Sequence, residues 1–243
     1  MLRRHYIPKD YKVKNVTIKR ILYSLFFLLL CIPAFSHTQH YANLWFDGTF
    51  IGSFLKKHEK WKYYLQPRLV VIDDRYGLDE AHVFYGAGYQ ITPNFAPYVG
   101  AAYFLSEDIQ GTESHENVVW QQFLWDMYKS KSFKLNNRTR LEERKNTLYP
   151  QWAIRFRDQF TLRIPFQNKK YSFITFDEFF LNLNHPSWVS NKFFSQNRFF
   201  TGIEKHISKS TSFDVGYINQ ARFQRRNKNL ITNGVYLRIN VIS

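Results

Sequence analysis

Between Arg138 and Arg144 the chain reads Arg-Thr-Arg-Leu-Glu-Glu-Arg, a run that can bind anions or pair with itself. On an extended strand side chains alternate, so Arg138, Arg140, Glu142 and Arg144 share one face. Phe133, Leu135 and Leu141 share the other, joined less cleanly by Asn137, Thr139 and Glu143. A guanidinium offers a flat fork of donors that fits a carboxylate or phosphate at two points, and it stays charged. The same kind of face recurs further along, with Arg155, Arg157 and Arg163, then Glu178 with Asn182, then Arg198, Glu204, Arg222 and Arg238. Two chemistries follow. Either the arginines attract small anions along a wet conduit, or guanidinium and carboxylate groups pair and fill the space. A barrel of ten or twelve strands has a bore that long side chains can fill, which favours the filled interior.

Other chemistry has thinner support. Ser114-His115, and His185 with Ser187, supply residue types of a lipid hydrolase, whose nucleophile needs a histidine and a third polar group at one point. Both pairs fall in expected long loops, and neither alternates toward a shared spot, so no catalytic residue is assigned. An amino terminus freed at His37, with His40 nearby, has the donors to chelate Cu²⁺ or Zn²⁺. Chain ends are ordinarily loose, and neither a metal site nor a cofactor is assigned. The sequence has no His-Glu-x-x-His, glycine-rich phosphate loop or EF-hand loop.

The elements that must carry the charged face are strands. Beyond residue 36 no stretch of 18 apolar residues occurs, so no helical membrane span is expected. Period-two alternation recurs instead, near 43–55, 59–72, 80–91, 95–105, 116–129, 132–144, 151–164, 170–183, 195–207, 211–222 and 230–242. Runs of this length suit tilted membrane strands. In 151–164, Trp152, Ile154, Phe156, Phe160, Leu162 and Ile164 oppose Ala153, Arg155, Arg157, Gln159, Thr161 and Arg163. Asp158 breaks the apolar face and is read as marking the membrane interface or a bulge. Short breaks at 92–94, 130–131, 167–169 and 208–210 alternate with longer ones at 73–79, 106–115, 145–150, 184–194 and 223–229. Short turns at one end and long loops at the other are the pattern of an outer-membrane barrel. Trp45, Trp61, Trp120, Trp125, Tyr149, Trp152 and Tyr171 are expected in its aromatic girdles. The segments number eleven, but bacterial barrels of this class have an even count. The expected fold is therefore an all-β, antiparallel, up-and-down transmembrane barrel of ten to twelve strands. Twelve is preferred, with the first segment dividing at Asp47-Gly48.

Lys19-Arg20 followed by the apolar run Ile21 to Phe35 and the small residues Ala34 and Ser36 reads as an export signal, cut before His37. The expected division is a signal peptide at 1–36 and one barrel domain at 37–243. Cys31, the single cysteine of the chain, falls in the signal, so the remainder can form no disulfide or thiolate site. The net charge of +15 falls to +9 once the signal is removed, leaving 27 basic and 18 acidic residues. An exported chain makes nucleic acid the weakest anionic partner, and arginines beside acids point to internal pairing.

Near the end, Thr232, Gly234, Leu237 and Ile239 fit the carboxy-terminal β-signal read by the barrel-assembly machinery, although the chain ends in Ser243 rather than an aromatic. Four motifs then stand in order: 138–144; Glu178 with Asn182; Gln-Asn-Arg-Phe-Phe-Thr-Gly at 196–202; and Gly-Tyr-Ile-Asn-Gln at 216–220. With Trp45 and Pro67-Arg68, they make the chain resemble the domain of unknown function 2490 family of bacterial proteins over most of 43–243. The resemblance implies an outer-membrane barrel of a Gram-negative bacterium and carries no activity. The sequence thus predicts a non-enzymatic outer-membrane protein, structural or a restrictive conduit for small anionic solutes. It would contact outer-membrane lipid and, during biogenesis, the assembly machinery. The alternatives are a surface interaction protein working through loops 106–115 and 184–194, and a lipid-acting hydrolase.

Overall fold

A computed structural model describes residues 38–55, 58–73, 77–107, 112–223 and 229–243. The expected signal segment, with Cys31, and the chelating His37 lie outside the described residues.

The described residues form eleven strands: β1 (Thr38–Ser53), β2 (Trp61–Ile72), β3 (Leu78–Tyr89), β4 (Phe95–Glu107), β5 (Glu113–Lys129), β6 (Lys134–Asn146), β7 (Trp152–Phe166), β8 (Tyr171–Asn182), β9 (Phe194–His206), β10 (Thr211–Arg222) and β11 (Asn229–Ile242). Each pairs antiparallel with the next in the chain, and β1 returns to β11, closing a barrel. The expected even count is corrected by the closing seam. In an up-and-down chain the first and last strands run the same way when the count is odd. Here β1 and β11 are parallel, from Thr38 beside Asn229 to Ile51 beside Ile242. Parallel pairing costs little relative to antiparallel, so parity is no barrier to closure.

The strand expected to divide at Asp47-Gly48 runs through. Gly48 keeps its partner Ile239 on β11, while the ladder to β2 skips Gly48 and Thr49. Pro67 of β2 lies opposite this gap, without an N–H to donate. Further along the seam Gly234 lies against β1, and a Cβ there would collide with the Asn43 carbonyl. Inside the barrel Trp45 of β1 and Tyr236 of β11 meet at 6.1 Å between ring centroids.

Alternation sorts the residues. Outward positions such as Phe46, Leu65, Tyr85, Val99, Phe123, Phe160, Val215 and Ile239 are exposed and apolar. Inward positions hold two aromatic-rich clusters and most of the buried charge. Two expected girdle residues belong to the interior: Trp45 is 1% exposed and Trp120 0%. Their parity assigns them there, Trp45 beside Asp47 and Trp120 beside Gln122. Trp120 lies on a floor of glycine, because a Cβ at Gly86 or Gly100 would meet its ring at 2.8 or 2.6 Å. Trp61, Trp125, Tyr149 and Trp152 are exposed, and Tyr171 is half-buried.

Two further expectations change. Strands β4 and β5 continue to Glu107 and from Glu113, so Ser114 and His115 are strand residues rather than loop residues. Asp158 marks no bulge: it pairs in unbroken register with Thr139 on one side and Phe179 on the other. A bulge does occur between Val70 and Val71 of β2, opposite Asp79, which is buried.

Candidate functional site: a paired charge network in the lumen

Strands β6 to β9 bring Glu142 and Glu178 inward as two hubs. Glu142 accepts from Arg155 Nε at 2.7 Å and from Arg157 Nη1 at 2.6 Å. Glu178 accepts from Arg138 Nη2 at 2.7 Å and Arg157 Nη2 at 2.8 Å, with Arg198 Nη1 at 3.9 Å. Arg157 therefore bridges the hubs. Around them stand smaller pairs. Arg144 grips Glu116 through two 2.8 Å hydrogen bonds, Arg238 Nε donates to Asp214 at 2.7 Å, and Arg163 lies 3.2 Å from Glu204.

Arg140 is held differently. Its Nε donates to Gln122 at 2.8 Å, and its nearest carboxylate oxygen, on Glu142, is 3.9 Å away. Its guanidinium lies 4.0 Å from the Phe84 ring centroid and 5.0 Å from that of Trp120. The negative faces of those rings take up the charge that a carboxylate holds elsewhere.

Side chains from opposite walls meet. Arg140 on β6 donates to the Tyr64 hydroxyl on β2 at 3.0 Å. Arg198 on β9 lies 3.5 Å from Glu80 on β3, and Arg222 on β10 binds Asp79 on β3 at 2.9 Å. Arg198 also lies between the rings of Trp45 and Phe180, at 4.9 and 4.8 Å. These contacts cross the bore. At the long-loop end Arg144 stacks on Trp188 at 5.2 Å, and Trp188 Nε1 donates to the Gln151 carbonyl at 3.1 Å. Asn182 stands apart from the ions and donates to the Ser190 carbonyl at 2.9 Å, tying the β8–β9 connection to the mouth. At the short-turn end a polar cup of about 530 Å³ is lined by Lys134, Arg138, Arg163, Glu204, His206 and Arg238, among others.

Several partners were missed from sequence. Asp47 accepts from Arg68 Nε at 2.6 Å, and Glu80 lies 2.7 Å from His82. Strand parity carried a signal for most of them, since Asp47 shares a face with Asn43 and Trp45, and Arg68 with Tyr64 and Gln66. Asp79 had no such signal, because it lies at the bulge.

The hydrolase candidates separate. Ser114 accepts from Asn146 at 2.7 Å inside, while His115 meets the Tyr103 hydroxyl at 2.6 Å on the outer face. The structure instead places Ser172 Oγ 3.1 Å from His206 Nε2, but Glu204 approaches that same nitrogen at 3.6 Å. A relay needs the acid on the other ring nitrogen. Of the β-signal residues, Thr232 and Gly234 face inward, and Leu237 and Ile239 face outward.

Residues 42–230 match the model of the family described as Protein of unknown function (DUF2490). The chain belongs to this family. An uncharacterized protein of Methylorubrum extorquens is 25% identical over 145 residues, covering 59% of this chain and 64% of the relative, just under two thirds of its length. Among solved structures, LpxR from Salmonella typhimurium is similar at a TM-score of 0.48 and 6% identity, over 76% of this chain and 84% of that one. The NanC porin is similar at 0.47 and 12%, over 80% and 96%. The eleven-strand closure of this DUF2490 chain rests on its own pairing.

Proposed function

We propose that this DUF2490 protein is an outer-membrane barrel of a Gram-negative bacterium with a closed lumen, serving a structural role and not an open pore. The observation that carries this reading is the contact of side chains from opposite walls, Arg140 with Tyr64 and Arg198 with Glu80. The apolar outer face supports the membrane setting, as does the division between short turns and longer connections. The export signal read in 1–36 and the β-signal in β11 suit delivery to that membrane. The Trp188 connection folded onto Arg144 supports closure at the long-loop end. Cell fractionation tests the setting. The protein is expected in the outer-membrane fraction, migrating faster on gels when unheated than when boiled. Recovery in a soluble fraction would overturn the reading.

The cup at the short-turn end favours a second reading, a restrictive conduit or receptor for small anions. Four of the cations lining it are already paired, Lys134 with Asp126, Arg138 with Glu178, Arg163 with Glu204 and Arg238 with Asp214, so at those an anion would have to displace a carboxylate. Inorganic phosphate that raised the unfolding midpoint of the refolded protein would support this second reading.

A further inference from the structure

The outside of the barrel is not uniform. On β1 to β4 the outward mid-strand residues, such as Phe46, Leu65, Tyr85 and Val99, are apolar or aromatic. From β5 to β11 the same surface carries polar groups. Asp158 Oδ1 accepts from Asn137 Nδ2 at 2.8 Å and from Thr139 Oγ1 at 2.7 Å. Asn197 Nδ2 donates to Asp177 Oδ1 at 2.8 Å, and Asn219 Nδ2 to Asn233 Oδ1 at 2.8 Å. Asp158 and Asp177 lie near the middles of β7 and β8, with Phe156 and Phe160 on either side of the first and Thr175 and Phe179 on either side of the second. Carboxylates at such positions are costly against lipid, and most so at the bilayer midplane. Ionisable groups at membrane depth ordinarily face protein or water rather than lipid, so such a patch points to a covered surface.

The polar run extends from Gln121 of β5, beside Val99, to Asn233 of β11, with β8 at its middle and β9 next to it. There Asp177 stands opposite Phe199 in register, between Asn197 and Thr201 on β9. A two-fold axis along the barrel keeps every residue at its own depth and sets β8 of one copy against β9 of another. An acceptor strand then faces a donor strand twice. Such self-complementarity is what an isologous dimer requires. We infer that the outer face of β8–β9 is an interface between two copies of this chain. Asn197 spends both its amide hydrogens within its own chain, on Asp177 and on the Glu178 carbonyl, so the other carboxylate oxygen of Asp177 in each copy accepts from the Thr201 hydroxyl of the other. The inference rests on the membrane setting proposed above.

The chain beyond residue 36 has no cysteine, so a single introduced thiol reports cleanly. Phe199→Cys, opposite Asp177, places one near the axis and leaves the Asp177 and Thr201 contact intact, and Val99→Cys places one on the apolar side. Oxidation of membranes carrying Phe199→Cys is expected to give a band at twice the monomer mass, with none from Val99→Cys. Adding Asp177→Leu to Phe199→Cys should lower the cross-linked share at least several-fold while the heat-dependent gel shift persists. Three results overturn the interface: no dimer from Phe199→Cys in heat-modifiable membrane protein, equal dimer from both cysteines, or an adduct of another mass. Absence of the protein from the membrane fraction overturns the membrane setting, and the interface with it.

Discussion

At the residue scale, the lumen holds charges that are tolerable only together. Glu178 neutralises Arg138 and Arg157 directly and lies within 3.9 Å of Arg198. Removing one member of a buried pair leaves an uncompensated charge and typically costs about 3–5 kcal/mol. Glu178→Gln is therefore expected to lower the unfolding free energy by about that amount, read from urea titration of the heat-dependent gel shift. A loss below about 1 kcal/mol would mean that the hub is wet and screened. Arg163, at 23% side-chain exposure, pairs with Glu204 nearer the mouth. Glu204 is itself buried but keeps Ser212 Oγ as a donor at 3.0 Å, so Arg163→Gln should cost less than Glu178→Gln in the same titration. Arg140 gives a third case. Lysine keeps the charge but loses the flat stacking on Phe84 and the reach to both Gln122 and Tyr64. Arg140→Lys should destabilise by at least about 1 kcal/mol, and equal stability would show that the rings do not hold the guanidinium. The inward direction of Arg138, Arg140, Glu142 and Arg144 was legible because alternation alone dictates it. The identities of their partners were not, since Tyr64 is 76 residues and Glu178 40 residues away in the chain.

At the element scale, the eleven alternating segments of the sequence correspond one to one with the eleven strands of the barrel. Parity forbids an odd count only where the seam must be antiparallel, and β1 with β11 is not. The seam depends on backbone closeness at Gly234, where no Cβ fits beside Asn43. Overpacking of this kind costs about 1–3 kcal/mol. Gly234→Ala should therefore reduce the share of protein that resists unfolding in detergent without heating. A share equal to that of the unaltered protein would count against a closed β1–β11 seam. Tryptophans near strand ends read as girdles by composition, yet Trp45 and Trp120 turn inward because parity outranks residue type.

At the scale of the whole molecule, an apolar exterior and a charged, aromatic-filled interior invert the arrangement of a soluble domain. That inversion was legible in the alternation. Whether the bore stays open was not, because it depends on side chains from distant strands meeting in space. Single-channel recording of the reconstituted protein tests this most directly. The account predicts no steady conductance across the working voltage range, with openings appearing only when Glu142→Gln and Glu178→Gln together loosen the network. A steady, anion-selective conductance in the unaltered protein would contradict it.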